Sequence, residues 1–223
     1  MKKEIRKIIT IIKAAPNLKA NITTYIIMLG LGVLSFVQKN SIETSKLCLI
    51  TCTSFIHQTI MTASGSGLIQ SSSSAKRMQT FYPFIIEFPC SIIIYTILAF
   101  NYVHIAGTPS HDMSLADLQT ACCWFIITYS FIIAAIHLIK SFSYKRFGLG
   151  MICAILAIIP FLVIIFNFET NNRLHLHSSL TLTNAVIIGY LIVISGFLLS
   201  PLIANRFYNY PISAHVMKAN TKA

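Results

Sequence analysis

Glu87 is the one acidic residue that falls inside an apolar run of membrane length in this 223-residue chain. Burying a carboxylate in hydrocarbon is expensive, so an acid in such a place reads first as a functional group. It lies six residues into the run Phe81–Val103, which puts it ~9 Å past the inner end by helical rise. His57 lies six residues before the inner end of the preceding run, Leu47–Ala63, at about the same depth by the same rise. Consecutive spans run antiparallel, so the spacing predicts that His57 and Glu87 can meet. Gln58 and His137 add to a polar collar in the cytoplasmic half of the membrane. A carboxylate facing an imidazole can hold a proton, pass one on, or gate a path. The other reading is that Glu87 reaches the membrane surface through a segment bent by Pro83 and Pro89 and has no transport role.

Other chemistry finds little support. Gly65-Ser66-Gly67 lacks the following Gly-Lys-Ser/Thr that would cradle a nucleotide phosphate, so any use of ATP belongs to another chain. His175 and His177 form a two-point pair without a nearby carboxylate or thiol, which reads as a solvated loop rather than a metal site. His111-Asp112 has no second histidine or aspartate at hydrolase spacing. The six cysteines, Cys48, Cys52, Cys90, Cys122, Cys123 and Cys153, sit in or beside apolar segments and read as small buried residues. We therefore expect no catalytic residues, no metal, no cofactor and no enzymatic activity.

The elements that position Glu87 follow from composition. The chain is 55% hydrophobic and only 10% charged, with mean hydropathy +0.73. A soluble domain carries about 25% charged residues, so this is a polytopic, all-α membrane protein. Six spans are expected: Ile22–Val37, Leu47–Ala63, Phe81–Val103, Gln119–Ile139, Phe147–Phe168 and Leu182–Ala204. The last four meet the length of about 20 apolar residues that a bilayer requires, and the first two are short. Residues 1–21 precede the spans. Within them Ile5, Ile8, Ile9 and Ile12 recur at helical spacing among lysines and an arginine, and Pro16 ends the pattern. That pattern predicts an amphipathic interfacial helix. Residues 22–204 form the transmembrane domain, and 205–223 a tail.

The net charge of +11 is distributed unevenly. With the N-terminus inside, 14 of the 17 lysines and arginines fall in residues 1–21, 64–80, 140–146 and 205–223, leaving Lys39, Lys46 and Arg173 outside. The positive-inside rule then puts both termini in the cytoplasm, in the plasma membrane, and removes the case for nucleic-acid binding. Ser114-Leu-Ala-Asp117 reads as a helix start. Gly150 with Ala154, and Gly196 with Ser200, have the small-xxx-small spacing of close helix packing, more often within one subunit than between two.

The loop Ser64–Thr80 is the remaining feature: an apolar knob, Leu68-Ile69, a serine run, and Lys76-Arg77-Met78. With the amphipathic leading helix, six spans and both ends inside, this loop resembles the membrane subunit of small six-span ATP-binding-cassette exporters. These include exporters that serve bacteriocin or peptide export and immunity. The resemblance covers nearly the whole chain as architecture more than as motif. It implies a short coupling helix seated on a cytoplasmic ATPase, with Leu68, Ile69 and Met78 as apolar contacts and Lys76 and Arg77 as polar ones. It also implies a homo- or heterodimer of permease subunits among membrane lipids, exporting a peptide or small amphipathic cargo. The segment Asn167–Thr181 is shorter than the re-entrant element many such permeases carry, which argues against a lipid-linked polysaccharide substrate. The alternative is a non-transporting immunity, scaffold or accessory protein, for which the serine run is a tether with two topogenic basic residues.

Overall fold

The computed structural model describes residues 9–10, 12–13, 15, 18–37, 43–64, 70–71, 75–108, 114–169 and 180–214. Among them there is no strand. The helices are α1 (Leu18–Val37), α2 (Glu43–Cys52), α3 (Phe55–Ser64), α4 (Ala75–Thr80), α5 (Tyr82–Ala106), α6 (Leu115–Ser143), α7 (Phe147–Glu169) and α8 (Leu182–Phe207). Ile9, Thr10, Ile12 and Lys13 are also helical; the rest of the expected N-terminal amphipathic pattern, residues 2–8, lies outside the described residues, as does the tail beyond 214.

Local chemistry accounts for where the helices start and break. Ser114 caps α6: its hydroxyl accepts from the Asp117 backbone N–H at 3.2 Å and donates to the Asp117 carboxylate at 2.7 Å, satisfying an orphan donor of the first turn. Thr181 caps α8 in the same way, accepting from Asn184 N–H at 3.3 Å. The stretch expected as one span over Leu47–Ala63 is instead two ten-residue helices, α2 and α3, separated by a turn at Thr53-Ser54. The cause is the run Thr51-Cys52-Thr53-Ser54. The hydroxyls of Thr51, Thr53 and Ser54 donate to the carbonyls of Cys48, Ile50 and Thr51, and the backbone tightens to bonds from Thr53 to Ile50 and from Ser54 to Thr51. Side chains that offer the backbone such alternatives weaken a helix interior. A second discontinuity falls at Phe81, between α4 and α5, where φ is −127° and ψ −52°. Pro83 cannot donate to the Gln79 carbonyl, so the ladder loses a rung there.

Among the described residues three helical stretches are long and apolar enough to cross a membrane: Ala75–Ala106 (α4 running into α5), Leu115–Ser143 and Leu182–Phe207. Leu18–Leu34 and Phe147–Val163 are shorter apolar stretches. α6 is the centre of the bundle. It packs most extensively against α8, then α7 and α5, while α1 lies on α2. Glycines set the closest approach: a Cβ at Gly196 would stand 2.6 Å from the Ala134 Cβ and 2.8 Å from its Cα, so α8 can touch α6 only without a side chain there. The core is aromatic at one end, with Tyr102 stacked on Phe125 (5.3 Å between centroids) and Tyr129 against Phe161 (5.5 Å). Around it the outer faces expose Ile26, Phe100, Ile155, Leu191 and Leu202, each by more than half of its surface. A soluble chain does not leave a contiguous apolar girdle of that kind in water.

Lys46 departs from the expected outer loop. It lies in α2, buried, with its ammonium 3.0 Å from the Tyr102 hydroxyl and 4.3 Å from the ring centroid. Its charge is therefore held by the aromatic end of the core rather than presented to water.

Candidate functional site

Ionisable side chains from three helices meet at one point in the bundle. Glu87 (α5) is fully buried, and Lys140 (α6) donates to its Oε1 at 2.7 Å. The second oxygen, Oε2, faces His57 Nδ1 (α3) at 3.6 Å and His137 Nδ1 (α6) at 3.5 Å. Both histidines are buried to within 1% of complete exclusion. Ser91, one helical turn beyond Glu87, closes the group: its hydroxyl is 3.1 Å from the Glu87 backbone carbonyl and 2.8 Å from His137 Nε2. The edge of His57 packs on Phe84 at 4.8 Å.

Helix geometry explains why these residues coincide. Glu87 and Ser91 are four apart on α5, and His137 and Lys140 three apart on α6, so each pair shares a face. His57 is the third residue of α3. The break at Thr53-Ser54 thus places the start of a new helix, at Phe55, two residues before His57. An uninterrupted span would have no such start at this depth.

Proton bookkeeping limits what the cluster can be. Ser91 has one hydroxyl proton. If it goes to the Glu87 carbonyl, His137 Nε2 must carry the proton that completes the 2.8 Å contact, and a neutral ring then turns a bare Nδ1 toward Oε2. If it goes to His137 Nε2, the ring carries its proton on Nδ1, aimed at Oε2. The orientation of one hydroxyl is therefore matched to the His137 tautomer, and changing tautomer also requires a proton to leave one ring nitrogen and another to reach the other. Neither nitrogen of His57 has a hydrogen-bond partner, and the same holds for Glu87 Oε2 and His137 Nδ1. Unmade hydrogen bonds of buried groups cost about 1–3 kcal/mol each, so the cluster favours any rearrangement that brings a proton or a donor among them. Just past α6, burial pushes the Tyr144 phenol above its usual range, and the Glu87 charge adds to the effect. The Tyr144 ring lies beside His57, 6.1 Å away between centroids.

The expected site residues distribute as follows. His57, Glu87 and His137 come together. Gln58 does not: it is exposed, one residue and about 100° around the helix from His57, and its backbone carbonyl accepts from the Thr62 hydroxyl at 3.0 Å and the Tyr144 hydroxyl at 3.5 Å. Lys140, placed by charge counting in a loop over 140–146, is a helical residue paired with Glu87. Its partner was legible as a buried acid needing a cation. Ser91 carries no signal beyond its one-turn spacing from Glu87. Leu68 and Ile69 lie outside the described residues, as do His111, Asp112, His175 and His177. Lys76 and Arg77 are exposed on α4, but Met78 is 1% exposed and packs inside this chain, on the same helix face as buried Ala75; it is not presented to a second chain here. Gly150 and Gly196 make close approaches within the chain, Gly150 to Ser143 and Gly196 to Ala134. Ser200 donates to the Gly196 carbonyl at 2.7 Å, and Ala154 is half-buried.

Among the described residues no three of His, Cys, Asp and Glu are arranged to hold a metal ion. At Glu87 the positive charge is supplied by Lys140, and the six cysteines are free thiols. No family model, no curated protein and no solved structure matches this chain.

Proposed function

We propose that the chain is a multi-pass transport subunit of the membrane, in which the Glu87–Lys140 pair is a latch between α5 and α6 and the two histidines set its charge. The observation that carries this reading is the buried cluster itself. A carboxylate at 0% exposure and a lysine at 15% are paired between two helices long enough to span a bilayer. For structure alone such a pair is poor value, since well-packed apolar residues of similar size hold a fold as well or better. Its distinctive property is bistability. The closed pair is neutral, and the open pair is tolerated only where water reaches it. That coupling of charge to hydration is what an alternating cavity requires.

The inner end of the bundle fits an ATP-driven version. The positive-inside distribution puts α4 on the cytoplasmic side, followed without a loop by α5, the helix that bears Glu87. A force applied at α4 is thus transmitted to the latch through one kinked helix. On this reading the six-span arrangement resembles an exporter permease that pairs with a separate ATP-binding-cassette ATPase. Contacts would be made by Lys76, Arg77 and the knob Leu68-Ile69, with export of a peptide or small amphipathic substrate. The test has two arms. Glu87→Gln, expressed at normal level, abolishes substrate efflux; full efflux by that variant sinks the latch. Affinity capture of the full chain retains an ATPase subunit, and Leu68→Asp with Ile69→Asp releases it; capture without any ATPase favours the immunity or scaffold alternative.

A further inference from the structure

An apolar groove of about 460 Å³ runs between α6, α7 and α8, walled by Ala134, Leu138, Ala157, Ser195 and Leu199, and it ends at Phe142. Along α6 it extends from Phe131 to Phe142, or ~16 Å at helical rise. That is about the thickness of one leaflet, half of a hydrocarbon core of roughly 30 Å. Its floor is set by the near-contact of Gly196 with Ala134, which leaves α7 and α8 splayed to either side.

The groove ends at a basic cluster. The ring of Phe142 lies 5.8 Å from Phe207, which lies 5.6 Å from Tyr210. Over Tyr210 stands the Arg146 guanidinium at 4.8 Å, and Lys76 and Lys145 share the ring of Tyr208 at 5.7 and 5.6 Å. Two ammonium groups on one ring repel each other unless an anion lies between or beside them. Among the described residues no carboxylate serves: Glu87 is the only acid on a helix near this end, and Lys140 has taken it. Beside the cluster a polar cleft of about 310 Å³ opens among Gln79, Lys145, Tyr208, Asn209 and Tyr210.

We infer that this is a binding site for an anionic phospholipid of the inner-facing leaflet. One acyl chain lies in the α6–α7–α8 groove, and the phosphate is held by Arg146 and Lys145 beside the Tyr208–Tyr210 corner. The charge selects an acidic headgroup, and the leaflet-length groove selects a lipid over a soluble phosphate compound. The site stands whether or not the chain transports.

The full chain, reconstituted in phosphatidylcholine vesicles, is tested with spin-labelled phosphatidylglycerol and spin-labelled phosphatidylcholine. The motionally restricted spectral component is expected to favour phosphatidylglycerol. Arg146→Ala lowers that preference about five-fold, the order expected for one basic residue at an anionic surface, while Arg146→Lys keeps most of it. Ser195→Phe, on the exposed wall of the groove, shrinks the restricted component of both lipids with helical content unchanged. Equal restriction of the two lipids in the unaltered chain overturns the site. So does a preference unmoved by Arg146→Ala, or one erased by inorganic phosphate at constant ionic strength. A restricted component that Ser195→Phe leaves intact overturns the groove assignment.

Discussion

Replacing Lys140 by methionine isolates the latch. The substitution keeps most of the volume of the lysine stem and removes the 2.7 Å donor to Glu87. Glu87 is then a carboxylate with no exposure, facing two imidazole nitrogens at 3.5 and 3.6 Å that form no hydrogen bond to it. Removing one partner of a buried ion pair costs about 3–5 kcal/mol, because the other charge is left uncompensated. The reverse substitution, Glu87→Gln, leaves the ammonium of Lys140. Its side chain is 15% exposed and three residues from the end of α6, so it can swing its head toward the basic end while the stem stays packed. The structure therefore orders the losses: Lys140→Met near the top of that range, Glu87→Gln below it. The double variant should lose clearly less than the sum of the two single losses, since neither charge is then left uncompensated. Unfolding of the full chain in mixed micelles, followed by far-ultraviolet circular dichroism, reads all four corners of the cycle. Two additive single losses, or a Lys140→Met loss under about 1 kcal/mol, refute the claim that this pair is desolvated and closed.

Further substitutions probe the surroundings. Ser91→Ala leaves His137 Nε2 without its only contact and should cost about 1–3 kcal/mol; Ser91→Thr, which keeps the hydroxyl, should recover most of it in the same unfolding assay. Gly196→Ala and Gly30→Ala should have opposite signs. The first meets Ala134 at 2.6 Å and should lose about 1–3 kcal/mol. The second meets nothing within 4 Å in the middle of α1 and should gain about 0.5–1 kcal/mol. Replacing Thr51, Thr53 and Ser54 together by alanine removes the hydroxyls that break the helix. Helical content should rise while the His57–Glu87 cross-link yield of a dicysteine pair falls; unchanged yield would show that the break does not position His57.

Much of this was legible from residue types, and the failures have physical causes. Charge scarcity and apolar run lengths gave the helical membrane architecture, because only helices and closed barrels satisfy backbone groups in hydrocarbon and continuous apolar runs of this length suit helices. Equal depth in antiparallel neighbours allowed His57 to meet Glu87 without requiring it. Depth says nothing of rotation about a helix axis, however, and so it assigned Gln58 to the collar when the neighbouring position faces outward. The same blindness to face made Met78 a docking contact; with Ala75 three residues earlier, it turns into the bundle. Lys140 was given to a loop because topogenic counting treats every terminal lysine alike, whereas a four-carbon stem lets a helical lysine reach a buried acid. The break in the second apolar run is visible afterwards in three hydroxyl residues within four positions. Each is individually tolerated in a membrane helix, which is why an apolar window passes over them.

Both discontinuities adjoin the cluster, and this bears on how a latch could move. α3 begins at the Thr53-Ser54 turn three residues before His57, and α5 begins at the Phe81 kink six residues before Glu87. α6, which supplies His137 and Lys140, is an unbroken 29-residue helix held from behind by α7 and α8. One wall of the site is thus rigid, and the other is made of two short-ended helices that meet α4. A kink lacking one ladder bond resists bending less than a regular turn. Motion of α4 would therefore carry Glu87 and His57 together away from Lys140 and His137, splitting the ion pair while preserving the contact on the mobile side. Cross-links tell the two apart: a cysteine pair joining α3 to α5 should leave opening intact, and one joining α5 to α6 at the level of Ser91 should prevent it. If the α3–α5 link blocks opening as completely as the α5–α6 link, the two helices do not move as a unit and the hinge at Phe81 is not the one that operates.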